Sequence, residues 1–264
     1  MTESPKNLLE AAAEVARLAG EAAMKHFRAA LEIETKADGS PVTRADREAE
    51  QVARAWLAKR FPGDRVVGEE FGENSAAAAR CWFLDPVDGT QSFVRGVPLW
   101  GSMVGVMVGD TVLAGAVAYP ALGESISAAR GEGCWWNGER CRVSAVADLA
   151  RATALATDER FQCDPRKKAA WDALAGRVAV TRSWGDCYGY LLVATGRVEL
   201  MTDGVLNPWD AVPLVPIVEE AGGVLTDWAG GCAGFGVGAI ATNAALADAT
   251  RDVLIGPSRA GART

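Results

Sequence analysis

The chain has 264 residues, enough for one large or two modest domains around a sizeable core, and its 49% hydrophobic and 23% charged content is ordinary for a soluble globular protein. A net charge of −7 argues against nucleic acid as a partner, because a phosphate backbone needs a basic surface; a small phosphorylated substrate stays compatible, since bound metal reverses the sign locally. No apolar run approaches the roughly 20 residues of a membrane span, and Met1–Asn7 lacks the basic stretch and apolar core of a signal peptide, so no membrane association is expected.

Ser4-Pro5 reads as a helix cap and first-turn proline, followed by Leu8, Ala12, Val15, Ala19, Ala22 and Ala23 at helical spacing to about Phe27. Lys36–Ser40 and Pro41 form a polar loop. Thr43 then caps a second helix with Ala45, Ala49, Val52, Ala53 and Trp56 along one face, ended by Phe61-Pro62-Gly63. Arg65–Gly68 predicts a short strand delivering Glu69 and Glu70, and Trp82-Phe83-Leu84 a second strand with Asp85 at its end. A short helix is expected after Thr90, then a hairpin of Ser102–Val108 and Val112–Tyr119 about Gly109-Asp110, and two strands flanking Asn137-Gly138.

From about Thr153 the pattern changes. Strands at Ala154–Ala156, Val178–Val180, Val198–Met201 and Val224–Thr226 alternate with helices near Arg166–Gly176, Asp186–Thr195, Trp209–Ala221 and Asn243–Ile255. Pro216 is expected to kink the third of these or disturb its hydrogen bonding. The change predicts two subdomains, 1–145 and 146–264, joined near Ser144–Ala150. The six cysteines (Cys81, Cys134, Cys141, Cys163, Cys187, Cys232) form no CxxC pair, and His26 is the one histidine. Neither a zinc site nor a disulfide framework is expected, and the thiols read as reduced, in a cytoplasmic protein.

Several acids stand out by placement. Asp85 and Asp88 are three residues apart on a turn between strand and helix, where their carboxylates and the Val87 carbonyl can converge. Converging oxygens without Cys or His favour a hard cation such as Mg²⁺. Gly89 and Thr90 follow at once, and free N–H groups at a helix start bind phosphate oxygens. The competing reading is an acidic turn that caps a helix. A calcium loop fails, because its twelfth position counted from Asp85 is Gly96 rather than Glu. An aspartyl-phosphate site, with acids at i and i+2, fails on spacing. Glu69 is otherwise a solvated strand-end acid, Asp210 a helix cap, and Asp46 the second half of a capping box with Thr43. His26 reads as structural or surface, and Trp135-Trp136 as hairpin packing.

Taken together, Gly68-Glu69-Glu70, then Trp82–Phe93 containing Asp85-Pro86-Val87-Asp88-Gly89-Thr90, then Trp209-Asp210 with Glu220-Ala221-Gly222-Gly223, resemble the inositol monophosphatase superfamily over nearly the whole chain. The resemblance implies an α+β fold, a layered αβαβα sandwich related to fructose-1,6-bisphosphatase, and a homodimer. It implies that Glu69, Asp85 and the Val87 carbonyl bind one Mg²⁺, that Asp85, Asp88 and Asp210 bind a second, and that Glu69 helps hold a weak third near Lys36–Ser40. Asp46 and Thr90 match the pair that activates the attacking water, with Glu69 counted beside them in the catalytic set. The N–H groups of Gly89 and Thr90 would hold phosphate.

Finer features resemble the histidinol-phosphatase branch: Ser92–Gly101, Trp184-Gly185-Asp186-Cys187-Tyr188 and Leu206–Asp210. Typical inositol phosphatases carry a run of small residues where this chain has Gly185–Tyr188, and Glu where Asp203 stands. An acid at Asp186 suits a substrate bearing an ammonium and an imidazole, because it can pair with a cation. Asp186 and Asp203 are therefore the expected substrate contacts. The implied reaction is hydrolysis of L-histidinol phosphate, a step of histidine biosynthesis, by direct attack of water with no phosphoenzyme. The rivals are an inositol-1-monophosphatase or broad sugar-phosphate phosphatase, and a non-catalytic metal- or phosphate-binding regulator.

Overall fold

Ser4 accepts a hydrogen bond from Asn7 N at 3.2 Å and opens α1 (Pro5–Met24), whose buried face is Leu8, Ala12, Val15, Ala19 and Ala23. A two-stranded ribbon, β1 (Ile33–Thr35) and β2 (Pro41–Thr43), leads into α2 (Arg44–Arg60), capped by Thr43. The architecture is that of a computed structural model describing residues 3–30, 32–36, 39, 41–74, 76–161, 164–231 and 237–256.

Helices α1 and α2 cover one face of an eight-stranded sheet. Its strands are β3 (Arg65–Gly68), β4 (Gly72–Glu73), β5 (Arg80–Asp88), β6 (Gly101–Val108), β7 (Thr111–Tyr119), β8 (Glu124–Ala129), β9 (Gly133–Trp136) and β10 (Glu139–Arg140), ordered β10-β9-β8-β7-β6-β5-β3-β4. One turn of helix, α3 (Thr90–Val94), lies between β5 and β6. The second sheet, ordered β12-β11-β13-β15-β14, comprises β11 (Thr153–Ala156), β12 (Val180–Arg182), β13 (Leu200–Asp203), β14 (Gly223–Thr226) and β15 (Ala239–Asn243). Between the sheets lie α5 (Asp186–Ala194) and α6 (Pro208–Glu220), and α4 (Pro165–Ala175) with α7 (Ala247–Leu254) covers the far face.

Alternation along each strand explains the layering, because successive side chains point to opposite faces. On β5, Trp82 and Leu84 join the core under α1 and α2, while Cys81 and Phe83 pack with Val212 of α6. On β11, Ala154 and Ala156 face α4 and α7, while Leu155 faces α5 and α6. The result is the expected αβαβα sandwich.

Among the described residues, five strands are not expected from the sequence: the short β1, β2 and β4, together with β8 and β15. β8 is built largely of small and polar residues, and β15 is short and buried on both faces. The strand expected at Val178–Val180 runs instead over Val180–Arg182. Helix α6 continues through both Pro213 and Pro216. It does so pressed on the first sheet: a Cβ on Gly115 would stand 2.0 Å from the Pro213 carbonyl oxygen, so the paired Gly105 and Gly115 make room for the helix. That contact holds the start of α6, with Asp210, over the end of β5. Cys81, Cys134, Cys141 and Cys187 are free thiols, and Cys163 and Cys232 lie outside the described residues.

Candidate metal and phosphate site

The site forms where β5 leaves its sheet. Asp85 pairs with Met103 and Asp88 with Gly101, so the register slips by one residue across Asp85–Asp88 and the strand bulges. Local bonds fix that bulge. Val87 N donates to Asp85 Oδ1 at 3.0 Å, Ser102 Oγ to the Pro86 carbonyl at 2.5 Å, and Thr90 Oγ1 to the Val87 carbonyl at 3.0 Å. Gly89 follows at φ +84, in the left-handed region, and a Cβ there would stand 2.9 Å from the Leu99 carbonyl, so only glycine fits.

Three elements bring acids to the bulge. β3 runs parallel to β5 with Gly68 opposite Leu84, and Glu69 N donates to the Leu84 carbonyl at 3.1 Å, which sets Glu69 beside Asp85. At the start of α6, Asn207 N donates to Asp210 Oδ2 at 2.8 Å in a capping box. Carboxylate oxygens of Asp85, Asp88 and Asp210 all lie within 4.8 Å of one another. Burial, then neighbouring carboxylates, pushes Asp85 well above the ordinary range. Burial and Asp210 push Asp88 up to about 7. Burial pushes Asp210 up to about 7 against the Asn207 hydrogen bond, and burial raises Glu69 against the pull of Lys36. Four crowded, half-buried to buried acids with only oxygen donors ionise together only with cations among them, so the donor set fits hard divalent ions.

Among the described residues, Lys36 brings the opposite sign to these acids, from a segment expected only as a loop. Its ammonium lies 2.7 Å from Glu69 Oε1 and 2.5 Å from Glu70 Oε1. Burial would depress it, but the two glutamates reverse that and hold it raised. This is the place expected to hold a weak third ion; residues 37, 38 and 40 of that loop lie outside the described residues.

Asp46 forms the capping box: Thr43 N and Thr43 Oγ1 both donate to its Oδ2, at 2.8 and 2.7 Å. Burial pushes Asp46 up to about 6 despite these bonds. Among the described residues no hydrogen bond joins Asp46 to Thr90. The sequence reading also misses Glu50, one turn further along α2. It is fully buried, and it accepts Glu70 N at 2.7 Å, Phe71 N at 3.3 Å and Arg54 Nε at 2.7 Å. Glu50 thereby holds the segment that carries Glu69. Its signal in the sequence is an acid on the face otherwise made of Ala45, Ala49 and Ala53.

Beside the acids lies a cavity of about 180 Å³ whose lining includes Asp88, Phe161, Asp186, Tyr190, Asp203 and Asp210. Cys187 N donates to Asp88 Oδ2 at 2.5 Å, so the first turn of α5 is tied to the bulge of β5. Asp186 Oδ2 comes within 3.1 Å of the position a Cβ on Gly89 would take. Burial, then Asp88 and Asp203, pushes Asp186 well above the carboxylate range. Asp203 is buried, with Oδ2 accepting Tyr190 OH at 2.9 Å and Oδ1 accepting Thr157 N at 3.3 Å.

The sequence matches the inositol monophosphatase family over residues 4–259. The chain belongs to the inositol monophosphatase family. Within and around this family it is 42% identical over 223 residues to the histidinol-phosphatase of Chlorobaculum parvum, covering 84% of this chain and 86% of that one. It is 38% identical, again over 223 residues, to the histidinol-phosphatase of Mycobacterium tuberculosis, covering 83% and 86%. Among solved structures, the extragenic suppressor protein suhB from Bartonella henselae superposes with a TM-score of 0.87 at 26% identity, covering 98% of this chain and all of that one. The layered fold described above is therefore the family's fold.

Proposed function

We propose that this inositol monophosphatase family member is a Mg²⁺-dependent phosphate monoesterase that hydrolyses L-histidinol phosphate to L-histidinol and phosphate. The family and the two histidinol-phosphatase relatives support the reaction class. The observation that carries the substrate choice is Asp186, an acid at the edge of the phosphate cradle where a neutral sugar ring would leave it unpaired.

Glu69, Asp85 and the Val87 carbonyl would hold one ion, and Asp85, Asp88 and Asp210 a second, with a weak third near Lys36. When bound, Mg²⁺ activates water and neutralises charge on the phosphoryl group. The chain's own residues orient the reactants. Thr90 Oγ1 donates a hydrogen bond to the Val87 carbonyl, which leaves its lone pairs to accept from the attacking water. One oxygen of Asp46 is bound to Thr43, and the other can take a proton; raised to about 6, Asp46 is a base suited to near-neutral pH. The N–H groups of Gly89 and Thr90 hold the phosphate. Because α3 is only one turn long, those amides rather than a helix dipole do the holding. Water's oxygen bonds to phosphorus as the ester oxygen leaves, with no phosphoenzyme, because Asp85 and Asp88 serve as metal ligands.

The same reading divides the chain into 1–145, carrying most metal ligands, and 146–264, supplying Asp210 and the substrate contacts. It also takes the protein to be a cytoplasmic homodimer; sedimentation of the purified protein as a monomer would remove that part. Phosphate release from L-histidinol phosphate and from inositol 1-phosphate tests the function. Better use of inositol phosphate would favour the sugar-phosphate rival, and release from no monoester would favour a regulator.

A further inference from the structure

The first turn of α5 opens on a residue held in an uncommon conformation. Asp186 sits at φ +50, in the left-handed region, where a non-glycine residue is strained unless its surroundings fix it. Two contacts fix it. On one side Cys187 N donates to Asp88 Oδ2, and on the other Asp186 N donates to Thr157 Oγ1 at 2.7 Å. Gly185 allows the second contact, because a Cβ there would stand 2.4 Å from the Thr157 Cα. Thr157 is itself tied down: its N–H donates to Asp203 Oδ1, and Asp203 Oδ2 accepts Tyr190 OH. Both Asp203 oxygens thus serve the protein, although Asp203 lines the cavity.

We propose that Thr157 is a positioning residue for substrate recognition: its hydroxyl, by accepting from Asp186 N, fixes the backbone that sets the Asp186 carboxylate at the edge of the phosphate cradle, where it meets an ammonium on the carbon next to the phosphoester-bearing carbon. The inference rests on the reading of Asp186 as the substrate's cation partner. Position decides which cation. Asp186 lies against Gly89, and in a 2-aminoalkyl phosphate the ammonium is the cationic group nearest the phosphate, with any ring further along the chain. A carboxylate so close to a bound phosphate would repel it, and an ammonium between the two converts the repulsion into a charge-assisted contact on both sides. Asp203 and Tyr190 act one step further out, through Thr157.

The test compares kcat/KM for L-histidinol phosphate with that for its desamino analogue, which keeps the imidazole and phosphate and lacks the ammonium. Their ratio should fall by about 100-fold in Asp186→Asn, the order expected for losing a charged hydrogen bond, and by about 10-fold in Thr157→Val, which removes the hydroxyl at equal volume. Thr157→Ser should restore the ratio. Because Thr157 acts through Asp186, the double variant should show the ratio of Asp186→Asn alone. Additive losses would mean that Thr157 touches the substrate itself, and equal losses on both substrates would mean a merely structural role; either overturns the proposal. If Asp186→Asn lowers the ratio and Thr157→Val leaves it unchanged, the positioning role fails while the cation-partner reading stands. If Asp186→Asn leaves the ratio unchanged, the cation-partner reading fails, and the inference with it.

Discussion

The proposed metal end and the proposed substrate end of this site are built in different ways. The metal end is concentrated: one bulged strand terminus supplies Asp85, the Val87 carbonyl, Asp88, Gly89 and Thr90, and its turn is fixed by bonds within or next to that segment. The substrate end is dispersed. Thr157, Asp186 and Asp203 come from three separate segments linked in series, Asp186 N donating to Thr157 Oγ1 and Thr157 N to Asp203 Oδ1. A concentrated site can be found in a sequence by its spacing. A dispersed one becomes visible only when the fold brings its parts together, and changes within it should alter selectivity before they alter chemistry.

The largest effect should come from the middle of the concentrated half. Asp88→Asn removes the charge and one oxygen of a proposed metal ligand while its amide oxygen can still accept from Cys187 N, and kcat at saturating Mg²⁺ should fall by about 10³-fold or more. Near-normal turnover would break the two-ion assignment. Next comes the pair proposed to activate water. Thr90→Val and Asp46→Asn should each lower kcat by about 10²–10³-fold with KM little changed, as expected for general acid–base groups. A rise in KM alone would mean that these residues bind substrate and do not activate water.

A smaller effect tests how far the concentrated half depends on its support. Glu50→Gln should raise the Mg²⁺ concentration for half-maximal activity by about 10-fold, the scale of a group bonded to a ligand-bearing segment. It should also cost about 1–3 kcal/mol of stability by leaving Arg54 without its carboxylate. A stability loss with unchanged Mg²⁺ dependence would confine Glu50 to packing.

The smallest effect is one of pH. In the metal-free protein Asp88 and Asp210 are raised from 3.8 to about 7, so each adds stability below about pH 4 and loses it as pH rises through 7. Those protons must leave when metal binds. Melting temperature without metal should therefore fall between pH 5 and 8, and the stabilisation produced by Mg²⁺ should grow over the same range. A Mg²⁺ shift independent of pH would mean that these acids are ionised before metal arrives.

Much of the fold was legible because it rests on strong local signals. Ser4-Pro5 and Thr43 with Asp46 each state their own element boundary, and the apolar run Trp82-Phe83-Leu84 marks β5, although the strand continues past Asp85 through its bulge to Asp88. β8 and β15 were not legible, because strands of small residues show neither an alternating nor a helical pattern. At the site, Asp46 illustrates a limit of another kind. The capping box is present, and a cap and a base use different oxygens of the same carboxylate, so spacing alone could not choose between them. Glu50 was hidden because one acid on an alanine face looks like a surface residue until the strand exit that it grips is in view. Thr157 carries no sequence signal at all; only its contacts with Asp186 and Asp203 reveal it.

The central claim is that a two-ion phosphate site has been fitted with an acid that selects a cationic substrate. It is tested most directly by kcat/KM for L-histidinol phosphate and inositol 1-phosphate on the wild-type protein at one saturating Mg²⁺ concentration. The account predicts a preference of at least about 100-fold for L-histidinol phosphate, the order of one charged hydrogen bond. Equal or better use of inositol 1-phosphate would contradict it.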